Sequence, residues 1–201
     1  KEKDPDRKED LTRMYINLTR HLLDQGFAAG SGQGTLHHLG YSMKNYYTSP
    51  LIMKEALVEA GLADQVQKAM EWFSGVGEVK VAPKELGMDI DAFNTSLMGR
   101  VASLLMLDDT PYKYAYLQAL SRWVDNGMKH TDGLKPCFKR DGSVVHHRKA
   151  YPAYATGGFT GAVNALATFV NGETFNKGLR QLRKLSKLDF TNLLVPGVAG
   201  P

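Results

Sequence analysis

The sequence predicts an all-α fold, and three observations lead to this prediction. Apolar residues recur every three or four positions along seven stretches, which is the spacing of one helix face. Glycine, proline and capping side chains stand at the ends of these stretches, where helices begin and end. The one strand-like run, residues 79–81, has no obvious partner downstream. We therefore expect one domain of helical hairpins joined by loops of unequal length.

The first half of the chain contains three of the predicted helices. An apolar stripe runs along the first, and lysines and arginines fill its other face. A glycine-rich segment follows it. The second helix contains Pro50, which should kink or divide it. These three helices span residues 6–25, 42–59 and 62–73, and a connector rich in glycine covers residues 75–87.

The second half contains four more predicted helices and one long loop. Asp91 or an adjacent acid suits the positive end of the fourth helix. Asp109 or Thr110 caps the fifth, with Pro111 at its first position. The helices span residues 89–107, 111–126, 159–170 and 174–187. The intervening loop, residues 127–156, is long enough to indicate a functional segment.

Composition narrows the class of protein. With 201 residues, 43% of them hydrophobic, the chain can bury one sizeable core. It has no apolar run of the length that a membrane span needs. Its first ten residues are highly charged and do not begin with Met, so we interpret the chain as an internal part of a longer protein. The single Cys137 excludes an internal disulfide and is expected to pack as a small apolar residue.

The net charge of +4 suits an acidic partner. A sulfated polysaccharide, a nucleic acid or an anionic membrane would each satisfy it. The chain lacks aromatic RNA-binding motifs, zinc-finger spacing and a basic base-reading helix, which argues against a nucleic acid. The basic face of the last predicted helix is interpreted as solvated.

Two segments collect titratable side chains, and four of the six histidines lie in them as doublets. The first, residues 30–44, carries His37 and His38 with Tyr41 and Lys44. The second, residues 141–159, carries His146 and His147 with Arg148, Tyr151 and Tyr154. Pro152 and a glycine pair interrupt regular structure in the second, so both segments are predicted to be loops. Imidazoles and phenols beside cations suit proton transfer, and two matching loops suggest one site built from distant parts of the chain.

These residues carry a resemblance to a known family. The sequence is similar to the chondroitin ABC lyases, within the superfamily of chondroitin, hyaluronate and alginate-type polysaccharide lyases. The resemblance runs from about residue 34 to the C-terminus. Its motifs are His37-His38-Leu39-Gly40-Tyr41-Ser42, then Asp141-Gly142-Ser143, His147, Tyr151-Pro152 and Tyr154.

The resemblance implies a fold and a location. The chain would be the C-terminal part of an incomplete (α/α) toroid, one helical domain over residues 1–201, with the β-sandwich domains of the family absent from it. It would act beside the remaining domains of the parent chain. Members act on acidic polysaccharides, chondroitin or dermatan sulfate and also hyaluronan, so a periplasmic or secreted location is expected.

The resemblance also implies a reaction, β-elimination at a uronic acid, which leaves an unsaturated product. Tyr154 would protonate the departing oxygen and, on one epimer of the uronic acid, also remove the C5 proton. His147 would be the base for the other epimer or would lower the pKa of Tyr154. His38 would neutralise the carboxylate, with His37 beside it. The expected substrate-binding residues are His37, Tyr41, Lys44, Lys135, His146, Arg148 and Tyr151. The assignments of Lys44, Lys135, His146 and Arg148 rest on their charge alone.

Two alternatives remain open from the sequence. The family places a catalytic Arg after a Gly near the point where this chain ends, but Gly200 is followed by Pro201, and the matching Glu lies in a later domain. A non-catalytic module that binds acidic polysaccharide is therefore the second hypothesis. A metal site from the paired histidines is the third, although no Cys or acidic ligand has zinc-like spacing. No cofactor is otherwise predicted, apart from a calcium or magnesium ion that could bridge the protein and a sulfated substrate.

Overall fold

A computed structural model describes residues 2–32, 36–43, 46–141 and 143–150, and within them the chain is mostly helical, as the sequence predicts. Helices α1 to α8 are Pro5–Asp24, Leu36–Met43, Ser49–Ile52, Lys54–Glu59, Ala63–Phe73, Val76–Lys80, Leu97–Met106 and Pro111–Gly127. A 3-10 turn, Tyr46–Thr48, precedes α3, and a π-helical turn, Ala92–Ser96, precedes α7. Strands β1 to β3 are Cys137–Phe138, Val144–His146 and Lys149–Ala150. The sixth and seventh predicted helices lie outside the described residues.

Local capping chemistry sets the two longest helices. The Asp4 carboxylate accepts hydrogen bonds from the backbone N–H groups of Asp6 and Arg7, and Pro5 occupies the first turn of α1. In α8, the Thr110 hydroxyl accepts a hydrogen bond from the backbone N–H of Lys113. The prediction of Pro111 as the first residue of α8 is confirmed. Strong local signals thus placed both helices to within two residues.

The structure differs from the predicted elements in several places. The first histidine doublet lies on α2 rather than in a loop. Residues 46–59 form a 3-10 turn and two short helices, which agrees with the prediction that Pro50 would divide this stretch. Pro50 is the second residue of α3, in the first turn, where a helix accommodates proline. The strand-like run at residues 79–81 ends a helix, α6, and the predicted helix 89–107 starts with a π-helical turn.

The predicted long loop, residues 127–156, contains a small antiparallel sheet. Its strands are ordered β1-β2-β3, and Val145 is the residue of β2 that pairs with Cys137 on one side and Ala150 on the other. Each strand has only two or three residues, too few for an alternating pattern to be recognised in the sequence. Val144 and Val145 are buried, so the sheet is attached to the core.

The core lies between α5, α7 and α8, and a buried cation stands within it. Arg100 of α7 is fully buried; its Nε donates to the carbonyl of Ser74 at 2.8 Å, and its Nη2 donates to the carbonyl of Gly75 at 3.1 Å. Nη2 also pairs with Glu78 at 2.6 Å, and the guanidinium lies 4.3 Å from the ring centre of Trp123. Arg100 therefore joins the ends of α5 and α6 to α8.

The apolar stripe predicted on α1 is only partly in the core. Ile16 and Thr19 are its buried residues, whereas Leu11, Met14 and Leu18 are exposed. Across the described ranges, no helix combines the length and the apolar character that crossing a bilayer would require.

Candidate functional site

The second histidine doublet lies on a tight hairpin. His146 is the last residue of β2, and β3 starts at Lys149, so His147 and Arg148 are the two residues of the connecting turn. Both have positive φ, 50° and 59°, the sign that a type I′ hairpin turn requires at its two central positions. Side chains other than glycine and asparagine adopt this conformation at a cost. Such strain is concentrated at functional positions, and here it presents the exposed His147 side chain at the tip of the hairpin.

The turn before β2 is held by a carboxylate. Asp141 accepts hydrogen bonds from the backbone N–H of Ser143 at 2.9 Å and from its hydroxyl at 2.7 Å. These bonds lower the pKa of Asp141. Asp141 and Ser143 thus make the local contacts that lead into β2.

His146 is held between two carboxylates. Its side chain is 4% exposed, with Nδ1 3.0 Å from Oδ1 of Asp89 and Nε2 3.9 Å from Oδ2 of Asp91. The rings of His146 and His147 lie with their centres 3.8 Å apart. The prediction that His146 helps to hold sulfates and carboxylates of the substrate stays a prediction; in this structure its side chain is buried beside two carboxylates, which would repel an anion.

The first histidine doublet reaches the same place through α2. Gly40 lies against the π-helical turn so closely that an added Cβ would be 2.5 Å from the carbonyl oxygen of Thr95. This contact packs α2 against the turn, and the Tyr41 hydroxyl donates to Oδ1 of Asp91, the residue just before the turn, at 2.9 Å. His38 is exposed and lies three residues before Tyr41, on the same face of the helix. The structure therefore brings both histidine segments to one pair of aspartates.

The other predicted site residues are placed differently. The exposed Lys135 pairs with Glu85 at 3.3 Å, so part of its charge is already balanced. Arg148 is exposed on the hairpin turn. The side chain of His37 and all of Lys44, Tyr151 and Tyr154 lie outside the described part of the chain.

Sequence reasoning missed Asp89 and Asp91. It assigned Asp91 to the positive end of a helix, which describes where the residue lies but not what its side chain contacts. The signal in the sequence was the Asp89-Ile90-Asp91 pattern, in which two acids flank one apolar residue. In the structure that apolar residue, Ile90, is fully buried. That pattern places two carboxylates together at the edge of the core, but their histidine partner is more than fifty residues away.

Cys137 is a buried thiol beside this site. Burial, and secondarily the Asp89 carboxylate, raise the pKa of Cys137 to about 12. A thiol that is hard to ionise is a poor nucleophile. Its role is to pack in the core, as the sequence suggested.

One cluster has the composition of a metal site. Asp89, His146 and His147 offer ligand atoms that lie within 4.8 Å of one another. Two imidazoles and one carboxylate suit zinc or another transition metal. Calcium and magnesium prefer oxygen ligands, so this cluster does not fit either of them.

Comparisons with known proteins show what the chain is similar to. A family model described as "Lyase, catalytic" matches residues 1–185. The chain is 43% identical over 165 residues to a chondroitin sulfate ABC exolyase of Bacteroides thetaiotaomicron. It is 34% identical over 157 residues to the chondroitin sulfate ABC exolyase of Proteus vulgaris, and 36% identical over 170 residues to the endolyase of that organism. These alignments cover 82%, 78% and 80% of this chain, but only 16% of each relative.

Proposed function

The chain belongs to the family of lyase catalytic domains, and we propose that it forms part of a glycosaminoglycan lyase. The substrate would be chondroitin or dermatan sulfate, and hyaluronan is a further substrate to test. The observation that carries the proposal is the junction of the two histidine segments at Asp89 and Asp91, with His147 exposed on a strained turn.

The proposed reaction is a β-elimination at the uronic acid. A base removes the proton from C5 of the uronic acid, and the electron pair forms a double bond between C4 and C5. The C4–O4 bond breaks, and an acid protonates the departing oxygen. No water is consumed. The groups that approach the acidic sugar must not be anionic, which suits imidazole, phenol and guanidinium.

The described residues can supply some of these groups. His147 is exposed, so its imidazole is accessible to a polymer and can accept a proton. His38 is exposed on α2 and would neutralise the uronate carboxylate, with His37 beside it. Tyr154 would protonate the leaving oxygen, and Lys44, Lys135, Arg148 and Tyr151 would contact the sugar chain. Tyr41 donates to Asp91, so its ring rather than its hydroxyl is the part offered to substrate.

The wider proposals follow from the family. The helices would form one segment of an (α/α) toroid that is completed by other domains of the same protein. A periplasmic or extracellular location would give the enzyme access to its polymer. Because the Asp89–His146–His147 cluster does not fit calcium or magnesium, such an ion would act by bridging sulfate groups elsewhere in the complex.

The test is depolymerisation by the full-length protein. Chondroitin sulfate, dermatan sulfate and hyaluronan are each incubated with it, and unsaturated uronate is followed by ultraviolet absorbance. We expect product with at least one sulfated polymer. Tight binding of chondroitin sulfate without product would instead support the non-catalytic binding module, for which the net charge of +4 is the motivating observation.

The proton donor is tested by Tyr154→Phe. The substitution keeps the ring and removes the hydroxyl, so turnover should fall by at least about 100-fold with little change in binding. Tyr151→Phe is the matched control, because it makes the same change three residues earlier and should cost much less. Near-normal turnover of Tyr154→Phe, or a larger loss in Tyr151→Phe, would show that the proton donor is another group.

A further inference from the structure

We propose that Asp91 is a positioning residue that fixes the two histidine segments relative to each other. It would act on His147 through His146, and on His38 through Tyr41, without touching the substrate. This inference rests on the proposed lyase function for its catalytic consequence. Its structural consequence can be tested independently of activity.

Asp91 is itself held firmly. Its backbone N–H donates to Oδ1 of Asp89 at 2.9 Å, and its carbonyl accepts from the Thr95 hydroxyl at 2.6 Å. Its side chain is 15% exposed. Asp89 lies just before the π-helical turn and Thr95 lies within it, so local contacts define the position of the Asp91 backbone independently of the histidine segments.

One carboxylate oxygen serves each segment. Oδ1 accepts the Tyr41 hydroxyl at 2.9 Å, which fixes the face of α2 that also carries His38. Oδ2 lies 3.9 Å from Nε2 of His146. Asp89 lies 3.0 Å from the other nitrogen of the same ring. The ring of His146 therefore lies between two carboxylates, which confine it by charge and close contact; the Asp89 contact lacks hydrogen-bond geometry, and the Asp91 contact is too long for a hydrogen bond.

The orientation of His146 is transmitted to its neighbour by contact. The two imidazoles lie 3.8 Å apart between ring centres, so the buried ring forms one wall against which His147 rests. The backbone of His147 is confined by the two-residue turn. If the ring of His146 rotated, His147 would lose this wall, and a displacement of about 1 Å at a reacting group can cost about 100-fold in rate.

A purely structural role and a positioning role of Asp91 predict different losses of turnover when the residue is replaced. Asp91 contributes no apolar side chain to the core, and losing one hydrogen bond typically costs about 1 kcal/mol. A purely structural role would thus produce a small loss of stability and a small loss of activity together. A positioning role predicts a loss of turnover that is much larger than the loss of stability.

The kinetic arm compares Asp91→Ala, Asp91→Asn and Asp125→Ala in the full-length protein, with chondroitin sulfate as substrate. Asp125 is the control, because it is an exposed carboxylate that pairs with Lys129 four residues away on the surface of α8. We expect kcat to fall about 10- to 100-fold in Asp91→Ala with KM within about threefold. Asp91→Asn should recover much of this loss, because an amide oxygen still accepts the Tyr41 hydroxyl.

The chemical arm does not need activity. Diethylpyrocarbonate modifies accessible imidazoles, and peptide mapping measures the modification of His146 in each variant. His146 should react slowly in the unmodified protein and in Asp125→Ala, and at least severalfold faster in Asp91→Ala.

Unchanged protection of His146 in Asp91→Ala would overturn the positioning role, whatever the activity. So would a kcat within twofold of the original in a protein that cleaves chondroitin sulfate. Failure of the unsubstituted protein to cleave any of the polymers would instead refute the proposed function, and the chemical arm would still decide the role of Asp91.

Discussion

Replacing Arg100 by methionine should destabilise the protein strongly. Arg100 is fully buried, and it donates to two backbone carbonyls, those of Ser74 and Gly75. Methionine fills much of the same volume but donates nothing, so both carbonyls lose their charged partner. The buried Ser74 carbonyl then lacks this donor, which costs about 1–3 kcal/mol, whereas the Gly75 carbonyl still accepts the backbone N–H of Glu78 at 3.1 Å and loses about 1 kcal/mol. Glu78 adds little, because its side chain is 51% exposed and water can replace the guanidinium.

The assay is urea unfolding, with the free energy of unfolding obtained from tryptophan fluorescence, to which Trp72 and Trp123, the latter beside the guanidinium, both contribute. The matched control is Arg13→Met, since Arg13 pairs with Asp10 on the surface of α1 with both side chains mostly exposed. That change should cost about 0.5 kcal/mol. Arg100→Lys should fall between the two, because an ammonium keeps the charge but not the planar array of donors. A cost for Arg100→Met below about 1 kcal/mol, or equal to that of the control, would refute this reasoning.

Three further predictions concern the site and its support. Gly40→Ala should lower the free energy of unfolding by about 1–3 kcal/mol, because the new Cβ would collide with the backbone of Thr95; Gly77→Ala, in open space within α6, should be neutral or stabilising in the same urea titration. Arg148→Asn should raise the midpoint of thermal unfolding, because asparagine tolerates positive φ better, and should weaken substrate binding if the guanidinium contacts sulfate; an unchanged or lower midpoint would contradict the strain assigned to the turn. Cys137 should resist alkylation by iodoacetamide at pH 8 until urea is added, as mass spectrometry would show, and rapid labelling of the folded protein would contradict its burial. Because the pKa of Cys137 is raised in the folded state, its contribution to stability should be complete below about pH 9 and lost as the pH rises toward 12.

The sequence predicted the elements that depend on neighbouring residues. The α8 helix was located because Thr110, Pro111 and an apolar stripe all give the same signal within one short stretch. The α1 helix was located from its apolar stripe and the glycines that follow it, although the exposure of Leu11, Met14 and Leu18 could not be read from periodicity. Periodicity identifies an apolar face, but it does not say which neighbour covers that face.

The errors lie where distant residues decide the structure. The segment with His37 and His38 is rich in glycine, which favours a loop locally, but packing of Gly40 on Thr95 supports a helix there. The charge pattern assigned His146 to substrate binding, and it could not indicate that the side chain is buried. It is buried because Asp89 and Asp91, remote along the chain, stand at its ring nitrogens.

The turn at residues 132–134 separates the two parts of the chain that contribute residues to this site. It is exposed, and Gly133 stands there with positive φ and open space around it. The helical part before the turn carries His38, Tyr41 and Asp91, and the hairpin after it carries His146 and His147. In the intact chain, the tether gives the two parts a high effective concentration for each other. Cutting the chain at this turn would convert assembly of the site into an association between two pieces, whose extent depends on how much of each is present.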